Sequence, residues 1–563
     1  MASVSIEHVH GYHPFKDGRK LPHYFVDVRE RQLADFEMQN SLYRAENYDH
    51  LLFFLETQML SRTIDGDDDL AESQLFIPSF DTILALFTLM TASDHYKGSL
   101  LNRNEPYCIN RVSVSKRATK VLNSYLHLLR VFDTNSYGTY ELELLRCQMF
   151  LAIDAITPRF KYLSGYKVVQ KDKSNGNVIY KSGAMPESKE KSGIMNPYRS
   201  FISCLESKHP IFGNVPINFK LSQRGGLGNA ILWALANSNQ KDDTLFYDAY
   251  IIWIPFFNIY LEILEMRQEY FLQNEVIKNI SKNLMVEKLI ESPLASFFTF
   301  VDSVNFNTAF CEYLFINCDY TLINSDAPLT IQPVYRGEDQ IDKEFYQRTK
   351  FTHQFKSAIS MKLRRRFLSL CYRLLSNVPS GMHLPKPRIH SKKLTLEIAR
   401  ILNTFQDISE FESFFVNPQL DRYMREIAEK TLNELIKQDR RVFGIDKLSI
   451  VKKRSDIRMF LTQILYLFKK GIMTPDVKVQ AGRVIDKEGH IRSEILRLKK
   501  MDICVITLLF TIFSNYSMEE KSTNSLLVND LLSMSHNIDE KRKNIHSDFS
   551  QISNYVAAIC TKR

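Results

Sequence analysis

Apolar residues recur at the spacing of a helix face through almost the whole of this chain, and the residues that break helices are scarce. In "SKRATKVLNSYLHLLRVF" (115–132) they fall at 121, 122, 125, 128 and 129. "SFDTILALFTLMTAS" (79–93) opens with Ser79 or Asp81, each a good N-cap. "YELELLRCQMFLAIDAI" (140–156) runs to Pro158, which cannot continue a helix. These read as three consecutive packed helices. Among 563 residues there are only 19 Gly and 18 Pro, beside 38 Phe and 26 Tyr. A turn-rich β-sandwich needs more glycine and proline than that.

The pattern therefore predicts a mostly α fold, a large multi-helix assembly with short β-hairpin excursions. One excursion is "YKVVQKDKSNGNVIYKSG" (166–183), two β-branched runs around Asn175-Gly176. The other is "VKVQAGRVIDKEGHIR" (477–492), turning at Asp486–Gly489. Composition and periodicity divide the chain into an N-terminal helical block (1–160), a basic hairpin excursion (161–196) and a central helical block (197–340). A basic helix with a Pro-rich segment (341–400) and a C-terminal helical block (401–563) complete it.

Hydrophobic residues at 44% and charged residues at 24% are ordinary for a soluble globular protein. The two most apolar runs, 249–264 and 503–513, fall short of the roughly 20 residues that span a bilayer, so no membrane partner is expected. The opening "MASVSIEHVHGYHPF" lacks the basic start and apolar core of a secretory signal. Eight cysteines lie scattered with no CxxC, which points to reduced, buried thiols in the cytosol or nucleus.

Chemistry-bearing motifs are few. His8, His10, His13 and His23 cluster without cysteine or carboxylate partners, and "DGDDD" (65–69) has Leu70 where a calcium loop needs glycine. "RGGLGNA" (224–230) lacks the lysine of a phosphate cradle and reads as the entry to a helix. No Ser-His-Asp, HExxH or GxSxG arrangement is present. The expectation is a protein that is not an enzyme, with no cofactor and no metal.

One charge feature stands out. From Phe345 to Leu396 there are twelve Lys/Arg and no acid, against a net charge of +9 for the whole chain. Leu363, Phe367, Leu370 and Leu374 mark one helix face, with Lys362, Arg365, Arg366 and Arg373 on another. Pro385 and Pro387 make the following stretch extended. A nucleic-acid contact would draw on Lys350, Lys356, Lys362, Arg364, Arg365, Arg366, Arg373, Lys386, Arg388, Lys392 and Lys393, binding DNA or RNA through phosphate. The alternative is a helix whose cations pair with acids elsewhere in the fold.

The stretch "FCEYLFINCDYTLINSDAPLTI" (310–331) reads as a buried aromatic helix with Asp319 near its centre, ending in a turn at Pro328. It is similar to the regulatory middle homology region of fungal transcription factors. Tyr313 matches the aromatic position, Asp319 the aspartate, Pro328 the turn proline and Ile331 the closing residue. "FISCLESKHPIFGNVPINF" (201–219), with the Ala-rich helix after it, resembles that family's His-Pro segment. The family's cysteine-rich zinc module has no counterpart here. The resemblance implies an all-helical regulatory or dimerising domain with Asp319 and Pro328 in structural roles. The first reading is thus a nuclear, transcription-related regulator working through protein partners or as a homo-oligomer, with accessory nucleic-acid binding by 345–396. The second is a viral or viral-like nucleoprotein or structural protein that binds RNA, cytoplasmic or in a virion.

Overall fold

The computed structural model describes residues 21–64, 75–91, 114–157, 211–318, 334–335, 358–437, 457–474, 487–513, 525–543 and 551–561, apart from short stretches inside these ranges. Helix accounts for 81% of what is described, and no strand occurs among the described residues. The mostly α expectation is met. The hairpin expected near 166–180 lies outside the described residues. The second hairpin is corrected in its outer arm: 487–492 form the first turns of the Lys487–Phe513 helix. Those residues continue into the apolar periodicity of 495–513, so the Gly489 signal yields to the longer helical register.

The chain divides into two compact units. The first comprises Met1–Phe306, Leu329–Lys350 and Arg373–Ile389, and the second Asn307–Pro328, Phe351–Tyr372 and His390–Arg563.

In the first unit every residue of the Phe80–Thr91 helix is buried. A helix apolar on all sides belongs at a centre, and its unpaired first N–H groups then need acceptors from the protein. Ser79 is the N-cap, accepting from the Thr82 N–H at 3.2 Å. Gln148 Oε1 accepts the Phe80 N–H at 2.9 Å. Gln39 Oε1 takes the Ser79 N–H at 3.2 Å and the Thr82 hydroxyl at 2.6 Å. The Thr139–Ile156 and Thr244–Tyr270 helices pack around this centre. On the second of these, Trp253, Phe256, Phe257 and Tyr260 build an aromatic core on either side of Pro255. Asp154 accepts the Tyr24 hydroxyl at 2.8 Å and faces Arg267 at 3.8 Å, and the Arg267 guanidinium lies 4.4 Å from the centre of the Tyr24 ring. This cluster ties residue 24 to helices more than a hundred positions away.

The second unit is a chain of pairwise packings. Ser391–Thr404 meets Arg422–Lys437, which meets Lys487–Phe513; that helix meets Ile552–Thr561, which meets Ser525–Lys543, and this last packs on Ile457–Lys469. Buried cations hold it together. Arg542, 0% exposed, donates Nη1 and Nη2 to the Asp502 carboxylate at 2.7 and 2.9 Å. Its Nε and Nη2 reach the Met473 carbonyl at 2.9 and 2.7 Å, just past the end of Ile457–Lys469. Lys500 donates to the Asn403 carbonyl in the last turn of Ser391–Thr404 at 2.7 Å. Arg364 donates to the carbonyl of Leu314, the last residue of Phe306–Leu314, and to Ser360 Oγ. Lys500 and Arg364 serve carbonyls that a helix end leaves unpaired, where the helix dipole also favours positive charge.

Two outcomes follow from these buried cations. Arg542→Met strands the Asp502 charge and should cost about 3–5 kcal/mol in chemical denaturation, whereas adding Asp502→Leu should recover part of that deficit. Burial lowers the Lys500 pKa from 10.5 to about 8, while the nearby Cys504 acts weakly the other way. The unfolded chain then binds the proton more tightly, so this residue's contribution to stability rises between about pH 8 and 10.5. Melting curves from pH 7 to 9.5 should show wild type gaining on Lys500→Met; parallel profiles would put the ammonium in water.

Candidate functional site

The basic segment forms a helix because Leu, Arg, Met and Lys dominate it and no Gly or Pro interrupts Ala358–Ser376. Leu363, Phe367, Leu370 and Leu374 are all buried, as their spacing requires. The Leu374 and Leu375 carbonyls accept from the Asn377 and Val378 N–H groups, and Pro379 ends the run.

The cations separate into different environments. Lys362 is exposed, and Arg365 and Arg366 are half-buried. Arg364 is 0% exposed with its guanidinium committed to Leu314 and Ser360, so it belongs to the interior. In the first unit Arg373 pairs with Glu269, and Arg388 is exposed. Lys392 and Lys393 are exposed in the first turn of Ser391–Thr404. Two lysines add there to the positive end of a helix, an arrangement that draws anions. In the second unit the Tyr372 hydroxyl bonds Thr395 Oγ1 at 2.6 Å, and the Tyr372 ring stacks on Tyr423 at 4.7 Å. That joins the helix bearing Lys362 to the one bearing Lys392 and Lys393. Lys350, Lys356 and Lys386 lie outside the described residues, as do Asp319 and Pro328.

The aromatic helix ends at Leu314, and Phe315 to Cys318 turn tightly, with the Cys318 N–H on the Phe315 carbonyl at 2.8 Å. That helix therefore stops before position 319, which corrects the expectation of an aspartate at its centre. Cys147, Cys311, Cys318, Cys371 and Cys504 are buried. Burial pushes the Cys147 thiol up to about 12 and raises those of Cys371 and Cys504, which leaves them protonated and poor nucleophiles. "RGGLGNA" is the entry to the Gly226–Asn237 helix. Gly225 takes φ 74°, and a Cβ on Gly226 would lie 2.1 Å from the Lys220 carbonyl oxygen. His8, His10 and His13 fall outside the described residues, and His23 is exposed.

Similarity to known proteins decides the family. The sequence profile described as "DNA repair proteins Nse5 and Nse6" matches residues 1–533. "Non-structural maintenance of chromosome element 5" of Saccharomyces cerevisiae is 39% identical over 496 residues, covering 87% of this chain and 86% of that protein. This chain belongs to the Nse5 family of DNA repair proteins. Family membership overturns the likeness to a fungal transcription-factor region, and with it the assignment to transcription regulation and the viral nucleoprotein reading. The physical reason is plain in the Nse5-family fold. An aromatic helix that ends at a proline-bearing turn, or a His-Pro before an Ala-rich helix, describes how many buried helices stop and start.

Sequence reasoning passed over Lys500 and Arg542 and gave Arg364 to nucleic acid, where the structure uses all three in packing. Arg542 carried a signal, since Leu531, Ser535, Ile538 and Arg542 sit on one buried helix stripe. Arg364 should behave accordingly: Arg364→Ala should lower stability by about 1–3 kcal/mol through the Leu314 carbonyl it leaves unpaired. Lys362→Ser should change stability by less than about 0.5 kcal/mol. Equal destabilisation of the two variants, measured by urea titration, would contradict the placement of Arg364 in the interior.

Proposed function

We propose that this chain is a non-catalytic, all-helical subunit of a nuclear chromosome-maintenance assembly, working in DNA repair through contacts with other proteins. The observation that carries this is the match of residues 1–533 to a family of DNA repair proteins, with a chromosome-maintenance element as a 39% identical relative. The chemistry of the interior supports it. Buried Arg364, Lys500 and Arg542 are engaged in joining helices, and the thiols of Cys147, Cys371 and Cys504 are held protonated. Groups used in this way give a firm scaffold.

An accessory contact with DNA phosphate belongs to the same proposal, through the exposed Lys362, Lys392 and Lys393 of the second unit. Such contacts add affinity without choosing a sequence.

Two measurements test the proposal. Cells that lack the chain should become hypersensitive to DNA-damaging agents, and a Cys147→Ser, Cys371→Ala, Cys504→Ala variant that folds should restore resistance. The triple variant Lys362→Ser, Lys392→Ser, Lys393→Ser should bind duplex DNA more weakly and equally so for unrelated sequences. Its log–log salt slope should flatten by about 0.9 for each phosphate that the variant no longer neutralises. Wild-type protein that ignores DNA even at low salt would remove the accessory contact and leave the repair assignment to the cell assay.

A further inference from the structure

The Ile457–Lys469 helix lies at the end of the packing order of the second unit. Among the described elements its main partner is Ser525–Lys543. Phe460, Leu461, Ile464, Leu465, Leu467 and Phe468 are buried on its inner side. Its outer side carries two apolar residues among the exposed Arg458, Thr462 and Lys469. Met459 is 40% exposed and Tyr466 42%, and they stand seven residues apart, two turns along one face. Thr462 and Gln463 lie between them, so the stripe has the spacing of a seam against another helix.

Along this helix the charge has one sign. Arg458, Lys469 and Lys470 are exposed, and no Asp or Glu occurs from Ile457 to Met473. The Lys470 ammonium sits 5.5 Å from the centre of the Tyr466 ring, occupying one face of the only aromatic ring exposed on this helix. A nucleic-acid base would need that face for stacking, and Met459 offers it none. Apolar anchors at helical spacing with a basic border instead complement a helix that carries apolar anchors bordered by acids.

We propose that the outer face of Ile457–Lys469 is a docking surface for an acidic amphipathic helix of a partner protein. The inference rests on the reading above, that the chain works through protein contacts, and names the chemistry of one of them.

The test is site-specific crosslinking in living cells with Tyr466→p-benzoylphenylalanine in the full chain. The expected product joins residue 466 to a segment of another protein with apolar residues at helical spacing and Asp or Glu on either side. Arg458→Glu, Lys469→Glu and Lys470→Glu together should cut that product at least tenfold, and exchanging the partner's acids for lysine should bring it back. Circular dichroism of the charge-reversed protein should match wild type, since all three side chains are exposed; if it does not, Lys469→Glu alone replaces it and should cut the product severalfold. Crosslinking to nucleic acid, to this chain itself, to a segment without acids, or to nothing would overturn the proposal. In each of those cases a chain that still confers resistance to DNA damage leaves the repair reading standing, whereas a wild-type chain that confers no such resistance would defeat that reading instead.

Discussion

A helix leaves its last carbonyls without partners, and in the second unit two of these ends are served by buried cations. Arg364 answers Leu314 and Lys500 answers Asn403, while Arg542 serves the Met473 carbonyl of the turn that follows Ile457–Lys469. The arrangement is doubly favourable, because the donor is charged and the carbonyl end of the helix dipole is negative. It also resolves a difficulty of burial. An isolated cation inside a protein is costly, but one that completes a helix end replaces two unsatisfied groups by one bonded pair. Arg542 goes further by holding the Asp502 carboxylate with the same guanidinium, so one side chain connects three segments.

The first unit solves the same problem from the other end of the helix. Its fully buried Phe80–Thr91 helix begins among Gln39, Ser79 and Gln148, neutral acceptors for its first N–H groups. Neutral side chains serve these donors, and the Asp81 carboxylate is buried in the same first turn, the end of the helix where the dipole favours negative charge. A buried charged cluster lies beside the aromatic core, where Asp154, Arg267 and Tyr24 meet. Both units therefore use buried polarity to join helices that are far apart in sequence. That is the pattern of a scaffold, and it accords with a family named for DNA repair and with a relative named as an element of chromosome maintenance.

Surface chemistry is correspondingly plain. The long acid-free run from 345 to 396 looked like one basic stripe, but folding sorts its cations by environment. Arg364 goes to the interior, Arg373 to Glu269, and Lys362, Lys392 and Lys393 remain in water. A second acid-free helix, bearing Met459 and Tyr466, was hidden in the sequence by the strongly apolar run that contains it. Only the burial of Phe460, Ile464 and Leu467 separates the inner face from the outer one.

The sequence by itself determined the class of fold and several of its helices. A 3.6-residue apolar period with few interruptions leaves a chain little else to form, and it marked Phe80–Thr91, Val114–Val131 and Thr139–Ile156 to within two or three residues. The extent of the aromatic helix before Asp319 and the Gly489 turn were misread for one reason: a local signal was given weight over the register of the helix beside it. What the tertiary structure decided is which polar residues are structural. Arg542 and Asp502 are forty positions apart, and Arg267 and Asp154 more than a hundred. No periodicity links such partners, because a helix pattern reports which face is buried and carries no information about the segment it is buried against.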